Sequence, residues 1–498
     1  MSSKNTNINL TKSLYCSGVQ CPKMLWLQRN KPEEAVNTAD ESVLENGNKV
    51  GKVARGYFGD YSLVEYNQDK SIMTAQTNKL MSEGVENIAE ASFMTDGLYC
   101  LVDILHRDGD GYDIAEVKSS TEAHPHYTDD VSFQYYVLTK CGIKVNKVFL
   151  LYVNNKYVRH GDLEITKLFA KKDLTEEAIE RFDKVEETIK NICAFNDTDI
   201  EPEYPIGVYC EKPYECAFME YCRGDIPEHS VFDISGINTT DKYNLYNQGI
   251  ITFSDIINNN IKLHDNEMLQ VEDEYYQKPD SFDKDAIKAF LDELSYPLYH
   301  LDFETYQQSI PEFDGINPYA QIPFQYSLHI EHEDGTLEHR EFLAEAGTDP
   351  RRAVAESLCE NIPDNVCMLA FNMGFEKGVL KRLAAQFPDL SDHLISMSNN
   401  MKDLAKPFQQ KWYYSRGFGG RYTIKTVLPT LFPDDPELDY HNLKGVHHGT
   451  EASAAFATLA SHTPEEIKVI RKNLLNYCGL DTYAMVKILQ KLREVSED

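Results

Sequence analysis

The chain is short of positive charge. Its 498 residues carry 49 Lys and Arg against 80 Asp and Glu, a formal charge of −31. Neutralising phosphates supplies much of the affinity of proteins for nucleic acid, so the deficit argues against broad electrostatic binding of a polyanion. It leaves room for a local basic groove, and it implies nucleic-acid binding that leans on divalent cations and fades with salt. An apolar run approaching the ~18 residues of a membrane span is also missing, so no membrane partner is expected. The opening residues, Met-Ser-Ser-Lys-Asn-Thr-Asn, lack the charged and apolar regions of a secretory signal, which predicts a cytoplasmic protein. No internal repeat or low-complexity segment stands out.

The length allows two or three domains with cores of their own. Eleven cysteines in a reducing compartment argue for thiols, metal ligands or cluster ligands rather than a disulfide framework. The front half is organised around Leu98 to Leu105, a mostly apolar run that reads as a buried strand. An Asp-Gly-Asp-Gly turn at 108–111 and a second strand ending in Glu116-Val-Lys118 follow. Side chains alternate along a strand, so Glu116 and Lys118 share a face that Asp103 on the partner strand can meet. An ionised Asp within an apolar run needs a cation or hydrogen bonds to compensate it. Two carboxylates and a lysine converging there fit a divalent-metal site for phosphodiester cleavage; a salt-bridged hairpin fits the same residues. Glu45, in a helical pattern over 43–58, is a candidate further carboxylate or a solvated face residue. Asp129 and Asp130 cap a helix that carries Gln134 and Tyr135.

Cys210, Cys216 and Cys222 stand in a Pro- and Gly-punctuated loop with five residues between neighbours. Zinc pairs usually sit closer, so the spacing suits an iron–sulfur cluster at least as well as zinc, the plain alternative being buried thiols. Either needs a fourth thiolate, for which Cys21 or Cys16 is the source; the remaining cysteines lie in apolar patterns and read as core.

On these residues the first ~225 positions resemble the RecB-type PD-(D/E)XK nucleases that carry an iron–sulfur cluster, as in the AddB helicase-nuclease subunit and the CRISPR-adaptation exonucleases. Cys21 in Cys-Pro-Lys-Met-Leu-Trp26 matches the family's N-terminal cysteine, and Cys210, Cys216 and Cys222 its C-terminal trio, though more widely spaced. Asp103 matches the first acid, Glu116-Val-Lys118 the Glu-x-Lys, and Gln134-Tyr135 the downstream helix motif. The resemblance implies a restriction-endonuclease-like mixed α/β fold over 1–225 and a 4Fe–4S cluster of structural role. Asp103 and Glu116 would hold the metal and Lys118 would orient a water.

Residues 226–290 read as an acidic helical connector, and 237–256 resembles a helix-hairpin-helix element turning at Gly249. In the second half, His-Leu-Asp302-Phe-Glu304 ends an apolar strand with two acids on one face. Asn372-Met-Gly-Phe-Glu376 runs from a strand into a helix, and Tyr477-Cys-Gly-Leu-Asp481 puts two groups on one helix face. The order of these motifs over ~290–495 resembles the DnaQ-like exonucleases of the DEDD type, with tyrosine beside the last acid (DEDDy). Glu376 stands where that family's pattern has Asp, and Asp403 is a fallback acid. The resemblance implies a ribonuclease H-like domain over 291–498 and 3′→5′ removal of nucleotides. Asp302, Glu304, Glu376 and Asp481 would hold two metals, with Tyr477 positioning the nucleophile. All-oxygen sites favour Mg²⁺ or Mn²⁺. Basic and aromatic residues at 411–425 suit either a base-stacking loop or an aromatic hairpin packed on the core. His447 and His448 are candidate ligands or an exposed pair.

The expectation is therefore a two-site α/β nuclease acting on DNA more than RNA, with an acidic surface available to a protein partner. The alternatives are an RNA-processing exonuclease whose front half only binds, and a non-catalytic nucleic-acid adaptor.

Overall fold

Two mixed sheets, one of seven strands and one of five, carry the candidate residues of the two halves. The structure is a computed structural model and describes residues 10–36 and 41–497. The chain forms two units, Met1–Asp225 with Gln308–Tyr319, and Ile226–Gln307 with Ala320–Asp498. Among the described residues no helix is long and apolar enough to cross a membrane.

In the first unit the strands are β1 (Leu10–Thr11), β2 (Ser62–Leu63), β3 (Asn87–Thr95), β4 (Leu98–Asp108), β5 (Gly111–Lys118), β6 (Val145–Val153) and β7 (Phe169–Asp173). They lie in the order β2-β3-β4-β5-β6-β7, with β1 beside β4. β3, β4 and β5 are antiparallel neighbours and β5 runs parallel to β6. β4 continues past the expected end at Leu105 because pairing with β5 holds to Asp108 and Gly111. The two-residue loop between them starts at Gly109, whose φ of 60° is a left-handed value that glycine adopts without cost.

Alternation along β4 shifts by one residue at Asp103. Cys100, Val102 and Leu105 pack in one core with Ile114, whereas Ile104 and Ala115 pack in the core on the other face. Glu90, on β3, has φ 58° and falls between the paired positions Ala89–Ile104 and Ala91–Val102. Such irregularities re-aim a side chain, and this one flanks the candidate acid. Helices α1 (Lys12–Gln20), α2 (Pro22–Asn30), α3 (Tyr127–Lys140) and α4 (Phe182–Asn196) include the cover of the first face. Tyr15 of α1 stacks on Phe133 of α3 at 4.7 Å.

In the second unit, β9 (Leu298–Tyr306), β10 (Ile322–Glu331), β11 (Leu337–Leu343), β12 (Cys367–Ala370) and β13 (Met401–Asp403) lie in the order β11-β10-β9-β12-β13, while β8 (Ser281–Phe282) and β14 (Tyr413–Tyr414) pair separately. β10 is antiparallel to β9 and β11; β12 is parallel to β9, and β13 to β12. β9 is thus the strand at which hairpin connections give way to crossovers, and in open α/β sheets ligands bind at the carboxyl ends of strands at such a point. Helix α5 (Gly374–Gln386) follows β12, and the 34-residue helix α8 (Pro464–Glu497) packs along β9 and β10. Between them come α6 (Ile424–Leu431) and α7 (Gly449–Ala457).

The stretch 226–290, expected as a helical connector, is largely helical. It folds into the second unit, with Val231, Ile234, Phe253, Ile256 and Val271 in a small core and Gly249 between two capped helices. Residues 308–319, expected in the rear domain, belong to the first unit. Arg159 N–H donates to Ile316 O at 3.0 Å and Gly315 N–H to Arg159 O at 2.9 Å, a strand-like exchange with no sequence signature.

Phe133 is fully buried. Phe133→Ala should cost about 3–5 kcal/mol by leaving a cavity under Tyr15, a large fraction of a domain's stability. Urea unfolding followed by near-ultraviolet circular dichroism measures it, and a loss below about 1 kcal/mol would contradict this packing.

Candidate metal centres

The β4–β5 hairpin brings Asp103 and Glu116 together. Asp103 Oδ2 accepts the Val117 N–H at 2.7 Å, and Glu116 is almost fully buried. Its carboxylate is crowded by donors: Lys12 Nζ at 2.6 and 2.7 Å, Lys118 Nζ at 2.9 Å and Gln134 Nε2 at 2.6 Å. Lys118 also pairs with Asp130 at 2.7 Å. Burial pushes the Asp103 carboxyl up, and Glu116 adds to it, to about 7. Burial acts on Glu116 too, but Lys118 and Lys12 outweigh it and hold that carboxyl at about 2. Two neighbouring acids are thus pushed in opposite directions, Asp103 up by burial and Glu116 down by two lysines.

Asp103, Glu116, Lys118 and Gln134 meet as the sequence suggested, but Tyr135 does not join them. Successive helix residues point about 100° apart, so the face that sends Gln134 to Glu116 turns Tyr135 against Phe182. Glu45 is exposed and pairs with Lys49 one turn on. Two partners went unread in the sequence. Asp130 lies four residues before Gln134, a spacing that puts both on one helix face and was a usable signal. Lys12 carried no signal, because only its distant approach to Glu116 gives it a role.

Cys21, Cys210, Cys216 and Cys222 line one pocket, walled by Met24, Leu27, Tyr204 and Phe218. Cys16 is elsewhere: its thiol donates to Asp130 at 3.2 Å. Four thiolates bound to zinc at ~2.3 Å would stand about 4 Å apart. Among the described residues the one trio of potential ligands within 4.8 Å of each other is Asp302, Glu304 and Cys478, so the four pocket thiols are spread more widely than zinc would hold them. Gln20, at the end of α1, donates to Tyr209 O at 2.8 Å and Tyr214 O at 2.7 Å, clamping the loop that carries Cys210 and Cys216.

In the second unit, Asp302 and Glu304 stand on one face of β9, with Cys478 of α8 donating to Asp302 Oδ2 at 3.7 Å. Glu376, in the first turn of α5, is buried with Oε2 unpartnered. Burial raises all of these acids. Asp302 and Glu304 are driven well up, Asp481 adding to each, and Glu376 reaches about 8 with Asp403 contributing. Asp481 rises to about 6, restrained by the Tyr440 hydroxyl, which donates to it at 2.6 Å, and by Lys425. Lys425 Nζ donates to the Tyr477 hydroxyl at 2.9 Å and to His447 O at 3.0 Å. Lys425 and Tyr440 were missed as members of this group. Asp403 instead accepts the backbone N–H groups of Asn372 and Ala405, at 2.9 and 3.0 Å, and so shapes the turn into α5.

Within 411–425, Tyr413, Tyr414 and Phe418 are core and Arg416 is tied to Gln277 and Glu274, while Arg421 and Tyr422 are exposed. His447 and His448 both pair with Glu451 at the start of α7.

A family model described as a domain of unknown function, DUF2779, matches residues 299–423. Its span takes in Asp302, Glu304 and Glu376 and stops short of Lys425, Tyr477 and Asp481. No curated protein matches the chain.

Asp481 and Glu376 bind protons more tightly folded than unfolded, so folding takes up protons and stability falls as pH rises from the ordinary carboxyl range through about 6 and about 8. Without divalent cations, urea unfolding should show the second unit weakening between about pH 5 and about pH 8, and millimolar Mn²⁺ should flatten that slope. A profile flat without metal contradicts the crowding.

Proposed function

We propose that this protein is a divalent-metal-dependent nuclease with two centres. The first is a PD-(D/E)XK-type centre in a unit braced by a 4Fe–4S cluster. The second is a DEDDy-type 3′→5′ exonuclease centre on a ribonuclease H-like domain, with DNA as the preferred polymer. The observation that carries the proposal is the group of carboxylates about β9, Asp302 half-buried and the others buried, where Asp302, Glu304 and Asp481 repel one another and Glu376 keeps a buried oxygen without a partner. Burying like charges is costly unless a cation compensates them, and oxygen donors in this number suit Mg²⁺ or Mn²⁺.

When bound, such a cation supplies Lewis acidity toward a phosphodiester. The chain's own groups do the positioning. Lys425 holds the Tyr477 hydroxyl beside Asp481, and Tyr440 holds Asp481 from the other side. In the first unit Lys118, fixed between Glu116 and Asp130, is a cation placed to offset charge developing on a phosphate. Asp103, high in pKa and lacking a lysine of its own, is the carboxylate that gains most from a cation. The strand order about β9 and the acids on its second half support the ribonuclease H-like reading. The wide spread of Cys21, Cys210, Cys216 and Cys222 around one pocket supports a cluster ahead of zinc.

Purified protein with Mn²⁺ should degrade end-labelled DNA, and Lys118→Ala and Asp302→Ala should each lower the rate of its own centre by at least ~100-fold. The double variant should be inactive on single- and double-stranded DNA and RNA. Degradation unchanged by either substitution, on every substrate, would rule the proposal out. Anaerobically prepared protein should be brown and lose its visible absorption on Cys216→Ser, whereas colourless protein with stoichiometric zinc would exclude the cluster.

A further inference from the structure

The acids on β9 share their space with a sulfur, which a site for hard cations has no use for. Cys478 is fully buried on α8, and its thiol donates to Asp302 Oδ2 at 3.7 Å and Asp302 O at 3.8 Å. One ligand atom each from Asp302, Glu304 and Cys478 all lie within 4.8 Å of one another. A sulfur at ~2.3 Å and an oxygen at ~2.1 Å from one tetrahedral ion stand about 3.6 Å apart. The observed 3.7 Å separation therefore already suits a shared ion. A second, independent feature points to a ligand here: Glu376 is buried, its Oε2 has no partner, and its charge acts on both Asp302 and Glu304.

We propose that Asp302, Glu304 and Cys478 form a site for a thiophilic divalent cation of the Zn²⁺ and Cd²⁺ class. Binding breaks the Cys478 S–H bond, forms a sulfur–metal bond, and releases the proton to solvent, with no change of oxidation state. Thiolate ligands select softer cations, whereas carboxylates alone accept Mg²⁺, Ca²⁺ and Mn²⁺. Cys478 thus adds affinity for softer cations to a centre whose carboxylates alone suit Mg²⁺ or Mn²⁺. Tyr477 and Asp481, its neighbours on α8, are held by Lys425 and Tyr440 rather than by the thiol, so the sulfur remains available to the ion. The site shares residues with the exonuclease reading but stands on its donor set, and its test needs no nuclease activity.

The full-length protein is titrated with Cd²⁺ while the ultraviolet thiolate-to-Cd²⁺ charge-transfer band and the bound metal are measured. The other ten cysteines are common to wild type and Cys478→Ser, so the difference between these two isolates Cys478. Wild type should take up one more equivalent than Cys478→Ser, with a correspondingly larger band, and excess Mg²⁺ should not erase that difference. Glu304→Gln keeps the thiol yet should bind the same equivalent at least ~10-fold more weakly. Cys100→Ser, at a buried thiol of the first unit, should behave as wild type. Equal uptake and equal bands in wild type and Cys478→Ser overturn the proposal, as does a difference that Mg²⁺ removes. Should the serine variant fail to fold, Glu304→Gln decides alone, and a Cd²⁺ affinity unchanged there overturns it.

Discussion

Mutual repulsion of buried carboxylates is the constraint on which the second unit turns. Asp302 and Glu304 come from one strand, Glu376 from the turn after the neighbouring strand, and Asp481 from α8. Each is raised by burial before its neighbours act on it. Hydrophobic packing alone would not place four acids together beside β9. The same sheet that buries Tyr326, Leu328 and Met368 on one face brings Asp302 and Glu304 to the other. Tyr440, Tyr477 and Lys425 are arranged about Asp481 and restrain the rise that burial imposes on it.

The first unit meets the same difficulty differently. It offers Glu116 two lysines and an amide, and leaves Asp103 with one backbone N–H. Glu116 is therefore compensated by the chain's own donors, whereas Asp103 beside it is not. The difference lies in α1. Its first residue, Lys12, reaches Glu116; its last, Gln20, holds the cysteine loop; and Cys21 follows at once. One nine-residue helix thus ties the carboxylate centre to the cysteine pocket, so packing at either end is felt at the other.

Periodicity made much of this visible in the sequence. Alternation predicted that Glu116 and Lys118 share a face, the i, i+2 spacing put Asp302 and Glu304 together, and the i, i+4 spacing did the same for Tyr477 and Asp481. These are local facts, because strand and helix geometry dictate them whatever the chain packs against. Where two local readings competed, burial chose. Tyr413, Tyr414 and Phe418 joined the core, although the same aromatics beside Lys411 and Arg416 would also suit stacking on bases. Gln134 and Tyr135 were inseparable in sequence and parted by 100° of helix rotation.

The chain alone determined the order of strands and helices, the acids that end them and the cysteines available as ligands. It did so because apolar period, turn residues and spacing act over a few positions. Only the tertiary structure decided that Cys21 and not Cys16 faces the cysteine trio, that Lys12 closes on Glu116, and that Cys478 stands among the acids. It likewise decided that 226–290 groups with the second unit and 308–319 with the first. Those choices depend on contacts between residues a hundred or more positions apart, whose free energy resides in burial and charge compensation that no local pattern encodes.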